Sequence, residues 1–181
     1  FTLTTGGNLN VLNDIAATNN ASLSLIDPTG TINLNSTIST EGQSILVNGT
    51  TQIGISGGNI FTTGNSNSFP TGGNITLTST AGSVVGNGLL ILDSGTSGTI
   101  TSSSTILMSG GITITNSGGA TFNSPVTVGS VNINGSTSGK DVTFNGALNA
   151  TTFNTASAGF NLKLLSGGSV SGATSLTNTG T

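Results

Sequence analysis

The chain has 181 residues, of which only 4% are charged, and its formal net charge at pH 7 is −3. Ordinary globular domains carry about a quarter charged residues. Two lysines, no arginine and no histidine leave almost nothing that could bind phosphate, so we expect no nucleic-acid partner. The longest apolar run, residues 89–92, is far shorter than the roughly 20 residues of a membrane-spanning helix, so we expect no membrane insertion.

The residue types predict an all-β fold. Strong helix formers are scarce, with Glu41 as the single glutamate, whereas valine, isoleucine, threonine and phenylalanine recur throughout. Disordered segments usually combine low hydrophobicity with high net charge, and this chain has neither high charge nor irregularly placed apolar residues.

Short apolar–polar–apolar triplets, typical of half-buried strands, recur about every 22 residues and form three columns, which we name after their first members Leu3, Leu9 and Ile15. In chain order the periods read Leu3, Leu9/Val11, Ile15; Leu23/Leu25, Ile32/Leu34, Ile38; Ile45/Val47, Ile53/Ile55, Ile60; Phe69, Ile75/Leu77, Val84; Leu89/Ile91, Ile100, Ile106/Met108; Ile112/Ile114, Phe122, Val126/Val128; Val131/Ile133, Val142/Phe144, Leu148; Thr151/Phe153, Leu162/Leu164, Val170; and finally Leu176. Glycine and Asn-Gly pairs stand between the triplets, where tight corners need positive φ angles.

Three columns held in phase predict a parallel β-solenoid with three short strands per coil and about eight coils. One coil advances by one strand spacing, about 4.8 Å, which gives a rod roughly 40 Å long. An antiparallel sandwich or barrel would also use Asn-Gly turns. The three-fold phase over the whole chain disfavours it.

We expect residues 1–181 to form a single solenoid segment. The first residues already read as a strand, and the alternation of apolar and polar residues continues to the last ones, so the sequence contains no polar cap. This predicts either an internal part of a longer rod or a subunit that stacks end to end.

Two stretches, Gly73–Ser79 and Gly111–Asn116, resemble the repetitive shaft of two-partner-secreted exoproteins of the filamentous-haemagglutinin type, and more loosely autotransporter passengers. The similar coil length extends this resemblance over the whole chain. It implies a right-handed parallel β-helix, export to the surface of a Gram-negative bacterium, and roles in adhesion, aggregation or biofilm formation.

The sequence offers no constellation for catalysis or metal binding. Its five acidic residues are scattered, and without histidine or cysteine the usual nucleophile–base pairs cannot form. The repeated Gly-Gly-x-Gly-x-Asp pattern of calcium-binding solenoids does not occur. We therefore expect a non-enzyme with no catalytic, cofactor or metal site.

One group of residues predicts a lateral contact with a neighbouring rod. In the Leu3 column, Leu46 and Leu90 stand between inward positions, so both are expected to face solvent, two coils or about 10 Å apart. Phe61, beside the inward Ile60, would extend this apolar spot. The alternative is that a loop or a corner of the backbone buries these side chains within their own chain.

The leading functional hypothesis is a non-catalytic structural or adhesive shaft of a secreted surface fibre, which associates with neighbouring rods or with further repeats of the same chain. Surface glycans and other cells are further candidate partners. The first alternative is a subunit of a homopolymeric extracellular filament or sheath. An ice-binding solenoid is suggested by Thr-x-Thr stretches such as Thr76/Thr78, and the third alternative is a glycan-binding β-helix. The chain has no tryptophan or tyrosine to form an aromatic platform for a glycan.

Overall fold

The computed structural model describes residues 1–54, 57–63, 68–79 and 82–181. These ranges contain nineteen strands and no helix, and hence no helix that is long and apolar enough to cross a membrane. The strands are β1 Thr2–Thr4, β2 Leu9–Val11, β3 Ile15–Ala17, β4 Leu23–Leu34, β5 Thr37–Thr40, β6 Ile45–Ile53, β7 Gly58–Phe61, β8 Ile75–Thr78, β9 Ser83–Gly86, β10 Leu89–Asp93, β11 Ile100–Ser102, β12 Thr105–Asn116, β13 Ala120–Phe122, β14 Val126–Ile133, β15 Asp141–Phe144, β16 Leu148–Thr155, β17 Asn161–Leu164, β18 Gly168–Val170 and β19 Thr174–Leu176. The predicted all-β class is confirmed.

All ladders between these strands are parallel, and they define three faces of a coil of about eight turns, roughly 22 residues apart. Each face is named here with its outward central row, one residue per turn. Face A carries Thr2, Ser24, Leu46, Thr76, Thr101, Thr121, Thr143 and Lys163. Face B carries Asn10, Asn33, Gln52, Val85, Leu107, Thr127, Asn149 and Ser169. Face C begins beside Asp14 and continues with Thr37, Asn59, Ile91, Thr113, Asn132, Asn154 and Ser175. The predicted β-solenoid is confirmed.

The core is a set of inward rows in which each apolar side chain lies on its equivalent in the next turn. On face A one such row passes from Leu23 through Ile45, Ile75, Ile100 and Ala120 to Val142, and all are buried. Burying one aliphatic side chain completely contributes about 1.5–3 kcal/mol. With no disulfide available, these stacked rows supply the main stabilising term.

One turn is much longer than the others because residues 62–74 separate β7 from β8. We call this connection the long corner; its residues 64–67 lie outside the described part of the chain. Leu46 pairs with Thr76, 30 positions later, whereas the usual spacing is roughly 22. The number of additional residues in this turn is about the number that forms one face of the coil. A constant period therefore assigns the residues that follow this corner to the wrong face.

Each of the three predicted columns follows one face up to the long corner and a different face after it, and the pair Leu89/Ile91 of the Leu3 column is also on the wrong side of its strand. The Leu9 column lies on face B up to Ile53 and on face A from Ile75 onward. The Ile15 column moves from face C to face B, and the Leu3 column from face A to face C. Ile55, which was assigned to the Leu9 column, lies outside the described residues.

The corner between faces C and A is fastened by buried hydroxyl groups. The Thr62 hydroxyl donates to the Gly73 carbonyl at 2.8 Å, and the Ser94 hydroxyl donates to the Gly98 carbonyl at 2.9 Å. Thr40 makes the same kind of bond one turn earlier. Each bond closes the loop that carries the chain to the next face, so these polar groups are satisfied although they point inward.

Candidate functional site on the side walls

The side walls are mostly uncharged polar rows that bond along the rod. On face B the Asn33 amide donates to the Asn10 side-chain oxygen at 2.8 Å, and on face C the Asn154 amide donates to Asn132 at 3.1 Å. Such amide ladders stabilise parallel stacking because each side chain meets its own kind in the next turn. A charged residue repeated at these positions would repel its neighbour instead.

Each of the five acidic side chains accepts hydrogen bonds at a corner or between neighbouring turns. The donors are Ser36 and Thr37 for Asp14, Thr29 and Gly30 for Asp27, Asn19 for Glu41, Gly95 and Asn116 for Asp93, and Asn161 and Lys163 for Asp141. No three acidic, histidine or cysteine side chains form a cluster within the described part of the chain. Four of the acidic groups thus join neighbouring turns, and Asp27 stabilises a corner within its own turn.

These hydrogen bonds lower the pKa values of two carboxylates, Asp14 and Asp141. The hydrogen bonds that the Ser36 hydroxyl and the Thr37 backbone N–H donate hold the pKa of Asp14 below its ordinary value. The ammonium of Lys163, followed by the amide of Asn161, lowers the pKa of Asp141 in the same way. Both partner sets come from the following turn, so ionisation of the carboxylate and stacking of the turns favour each other.

Asp27 is the most deeply buried carboxylate, with 1% of its surface exposed. Its Oδ1 accepts the backbone N–H of Gly30 at 2.7 Å and that of Thr29 at 3.4 Å, which shapes the corner between faces A and B. Its Oδ2 has no hydrogen-bond partner among the described residues. A buried acceptor without a partner reduces the stability of the fold.

The prediction that Leu90 faces solvent is wrong. Leu90 is 0% exposed, because its register partners are Gly58 in one neighbouring turn and the buried Ile112 in the other. The inward residues of β10 are thus Leu90 and Leu92, whereas Leu89 and Ile91, predicted to be inward, point outward.

The other two predicted contact residues do lie at outward positions, but on different faces. Leu46 belongs to face A, between Ser24 and Thr76, and is half-buried. Phe61 ends β7 on face C and is also half-buried. The structure therefore does not bring Leu46, Phe61 and Leu90 together in one spot.

An apolar patch on face C takes the place of the predicted spot, and we define the face C patch as Phe61, Leu89 and Ile91. Leu89 is 37% exposed and Ile91 is partly exposed on the same strand. Phe61 pairs with Asp93 of that strand, so its ring lies diagonally across from Ile91. The patch could not be predicted from the sequence, because all four residues 89–92 are apolar and the pattern does not indicate which alternate pair faces inward.

Face B carries a second apolar spot, of two residues, at about the same level of the rod. Leu107 is 57% exposed and pairs with the partly exposed Val85 of the preceding turn. The corner between this spot and the face C patch is polar, with the Ser109 hydroxyl donating to the Asn87 side-chain oxygen at 2.7 Å. The two apolar surfaces are therefore separate.

No family model, curated protein or solved structure matches this chain. The resemblance to filamentous-haemagglutinin shafts stays a prediction from the sequence. What remains to support a function is the solenoid itself and the chemistry of its walls.

Proposed function

We propose that this chain is a non-catalytic stretch of the shaft of a secreted bacterial surface fibre, which serves adhesion, cell aggregation or biofilm formation. The observation that carries the proposal is the unbroken parallel ladder on three faces over about eight turns. This architecture gives length and stiffness with few residues per turn, and it can be extended by adding turns without changing any of those already present.

The wall chemistry supports the same proposal. Side chains that could act as acids or bases are held in hydrogen bonds that join turns, as at Asp14 and Asp141. Most residues of the outward rows carry hydroxyls or amides, which suit a stacked and hydrated surface. The similarity of Gly73–Ser79 and Gly111–Asn116 to two-partner-secreted shafts favours the surface of a Gram-negative bacterium as the location.

A subunit of a homopolymeric filament is the second candidate, because another copy could continue parallel ladders of this kind as well as the same polypeptide could. In the described chain β1, β2 and β3 have ladder partners on one side only, and so do β17, β18 and β19 at the other end. Unpaired strand edges accept further strands. A following turn, from the same polypeptide or from another copy, would continue all three faces.

Surface display tests the proposal. Cells that carry the chain on an outer-membrane anchor should sediment and adhere faster than cells with the anchor alone. Replacing the fully buried Ile106 by Asp should abolish the difference, because it places a charge inside the stack. The matched control, Thr127→Asp on the exposed wall, should keep it. Equal sedimentation and adhesion with the chain and with the anchor alone would overturn the proposal.

A further inference from the structure

We infer that face C is a self-association surface, on which a second copy of this chain packs antiparallel with the face C patch at the centre. The inference rests on the proposed function of a bundling fibre and names the surface through which two rods meet.

The shape of the patch fits an identical partner. Leu89 pairs with Gly111 in one neighbouring turn, and on the other side Gly57 abuts its backbone, where an added Cβ would lie 2.8 Å from the Leu89 oxygen. The Leu89 side chain thus stands between two positions without side chains. A two-fold axis at the level of this turn brings the Leu89 side chains of the two copies into contact, and the glycine positions in the neighbouring turns leave room for them.

Charge also favours a second copy in antiparallel orientation. The outward central row of face C, Thr37 to Ser175, contains no charged residue, and at its beginning Asp14 of the first turn accepts the Thr37 N–H. The nearby Asp93 is buried and hydrogen-bonded. A two-fold axis at the level of Ile91, on the fourth turn, places Asp14 opposite Asn154 of the seventh turn, whose amide can donate to it. Parallel packing would instead oppose Asp14 with its own copy, and like charges that face each other destabilise a contact.

The area sets the strength of the contact. A face of eight turns is about 38 Å long and roughly 13 Å wide for a four-residue strand, so two faces bury about 1,000 Å² together. This is the lower limit for a specific interface. We therefore expect reversible pairing of the 181-residue chain, which becomes stronger as more turns are joined.

Sedimentation velocity and small-angle scattering over a concentration series test the inference. The wild type should pair reversibly, and its cross-sectional radius should rise while its length stays nearly constant. The variant Leu89→Thr/Ile91→Thr should weaken pairing by about tenfold or more, because four outward apolar side chains are lost from each pair. The control Leu107→Thr/Val85→Thr, which removes the face B spot, should pair like the wild type. Unchanged circular dichroism and melting temperatures would show that both variants fold.

A spin label at Asn13→Cys tests the orientation, because Asn13 is exposed on the first turn and the chain contains no cysteine. Antiparallel pairing places the two labels about six turns apart along the rod, roughly 29 Å, whereas parallel pairing places them at the same level. Labels at the same level would overturn the inference. So would a wild type that stays single at every concentration, or a face C variant that pairs as tightly as the wild type. None of these results would affect the surface-display comparison, on which the shaft proposal depends.

Discussion

Phe122 and Phe144 are register partners on adjacent turns, and their rings stack with centroids 4.8 Å apart and planes inclined by 8°. The separation equals the spacing of neighbouring strands, so the ladder itself places one ring on the other. Phe153 meets the second ring edge-on at 6.2 Å. The aromatic part of the core is thus continuous between two faces.

Truncating this stack should strongly destabilise the rod. We expect Phe144→Ala to lower the free energy of unfolding by about 3–5 kcal/mol, because the side chain is fully buried and touches both other rings. Phe69→Ala, at a position that is 38% exposed on the long corner, is the matched control and should cost much less. Urea titrations of both variants make the comparison. Equal losses would mean that the stack is not part of the core.

Neighbouring residues of β10 should respond oppositely to substitution. Leu90→Ala should cost about 2–5 kcal/mol, because it empties a fully buried position, while Leu89→Ala should cost about 1 kcal/mol or less. Thermal and chemical unfolding of the two variants measure the difference. If Leu89→Ala proved the more damaging, the assignment of the two sides of this strand would be reversed.

Asp27→Asn should stabilise the fold or leave it unchanged. The asparagine keeps the acceptor that binds the N–H groups of Thr29 and Gly30, and it replaces the buried carboxylate oxygen that lacks a partner by an uncharged amide NH2, which costs less to bury than a charge. Asp27→Ala should destabilise by about 1–3 kcal/mol, because the two N–H groups lose their acceptor. Melting temperatures of both variants at neutral pH test this. A strongly destabilised asparagine variant would show that the charge itself is needed.

Stability should fall in acid through Asp141. Its pKa in the folded chain lies below the ordinary 3.8, chiefly because of the hydrogen bond from Lys163. A carboxylate whose pKa is lowered by folding stabilises the fold at pH values above its pKa in the unfolded chain. This contribution is lost as the pH falls through its pKa in the folded chain. The melting temperature of the wild type should therefore drop below about pH 4, and Asp141→Asn should flatten part of this drop. A wild-type curve identical to that of the variant between pH 6 and pH 2 would contradict the coupling.

Like charges on adjacent turns of one face should repel. Thr101→Lys and Thr121→Lys replace outward register partners on face A, whose other neighbours in the row, Thr76 and Thr143, are uncharged. We expect each single change to be nearly neutral and the double variant to lose about 0.5–1 kcal/mol beyond their sum at low salt. Added salt should reduce this excess. A strictly additive pair would show that the walls tolerate stacked charge, so that the near absence of charge needs another reason.

The sequence predicted the fold class, the three faces, the number of turns and the inward side of most strands, because periodic apolar residues record which side of a strand is buried. Two features escaped it. The long corner contains Phe69 at about the place where the period demands an apolar residue, so the count continued on the wrong face. At residues 89–92 every side chain is apolar, and only the register of Leu90 with Gly58 decides which alternate pair faces inward.

The candidate contact surface was predicted in kind but not in place. An outward apolar spot was expected, and Phe61 belongs to the one that we define, together with Leu89 and Ile91 in place of Leu46 and Leu90. The location depends on the pairing of turns across the long corner. The residues of one strand do not indicate which residues they pair with, because the partner strand lies about a full turn away in the sequence.

Distances between spin labels along face A test the stacked parallel turns most directly. Because the chain has no cysteine, pairs of cysteines can be placed at Ser24 with Thr101, with Thr143 and with Lys163, which lie three, five and six turns away. Stacked turns predict separations near 14, 24 and 29 Å, a constant step of about 4.8 Å per turn. Separations that do not increase in proportion to the number of turns would contradict the solenoid.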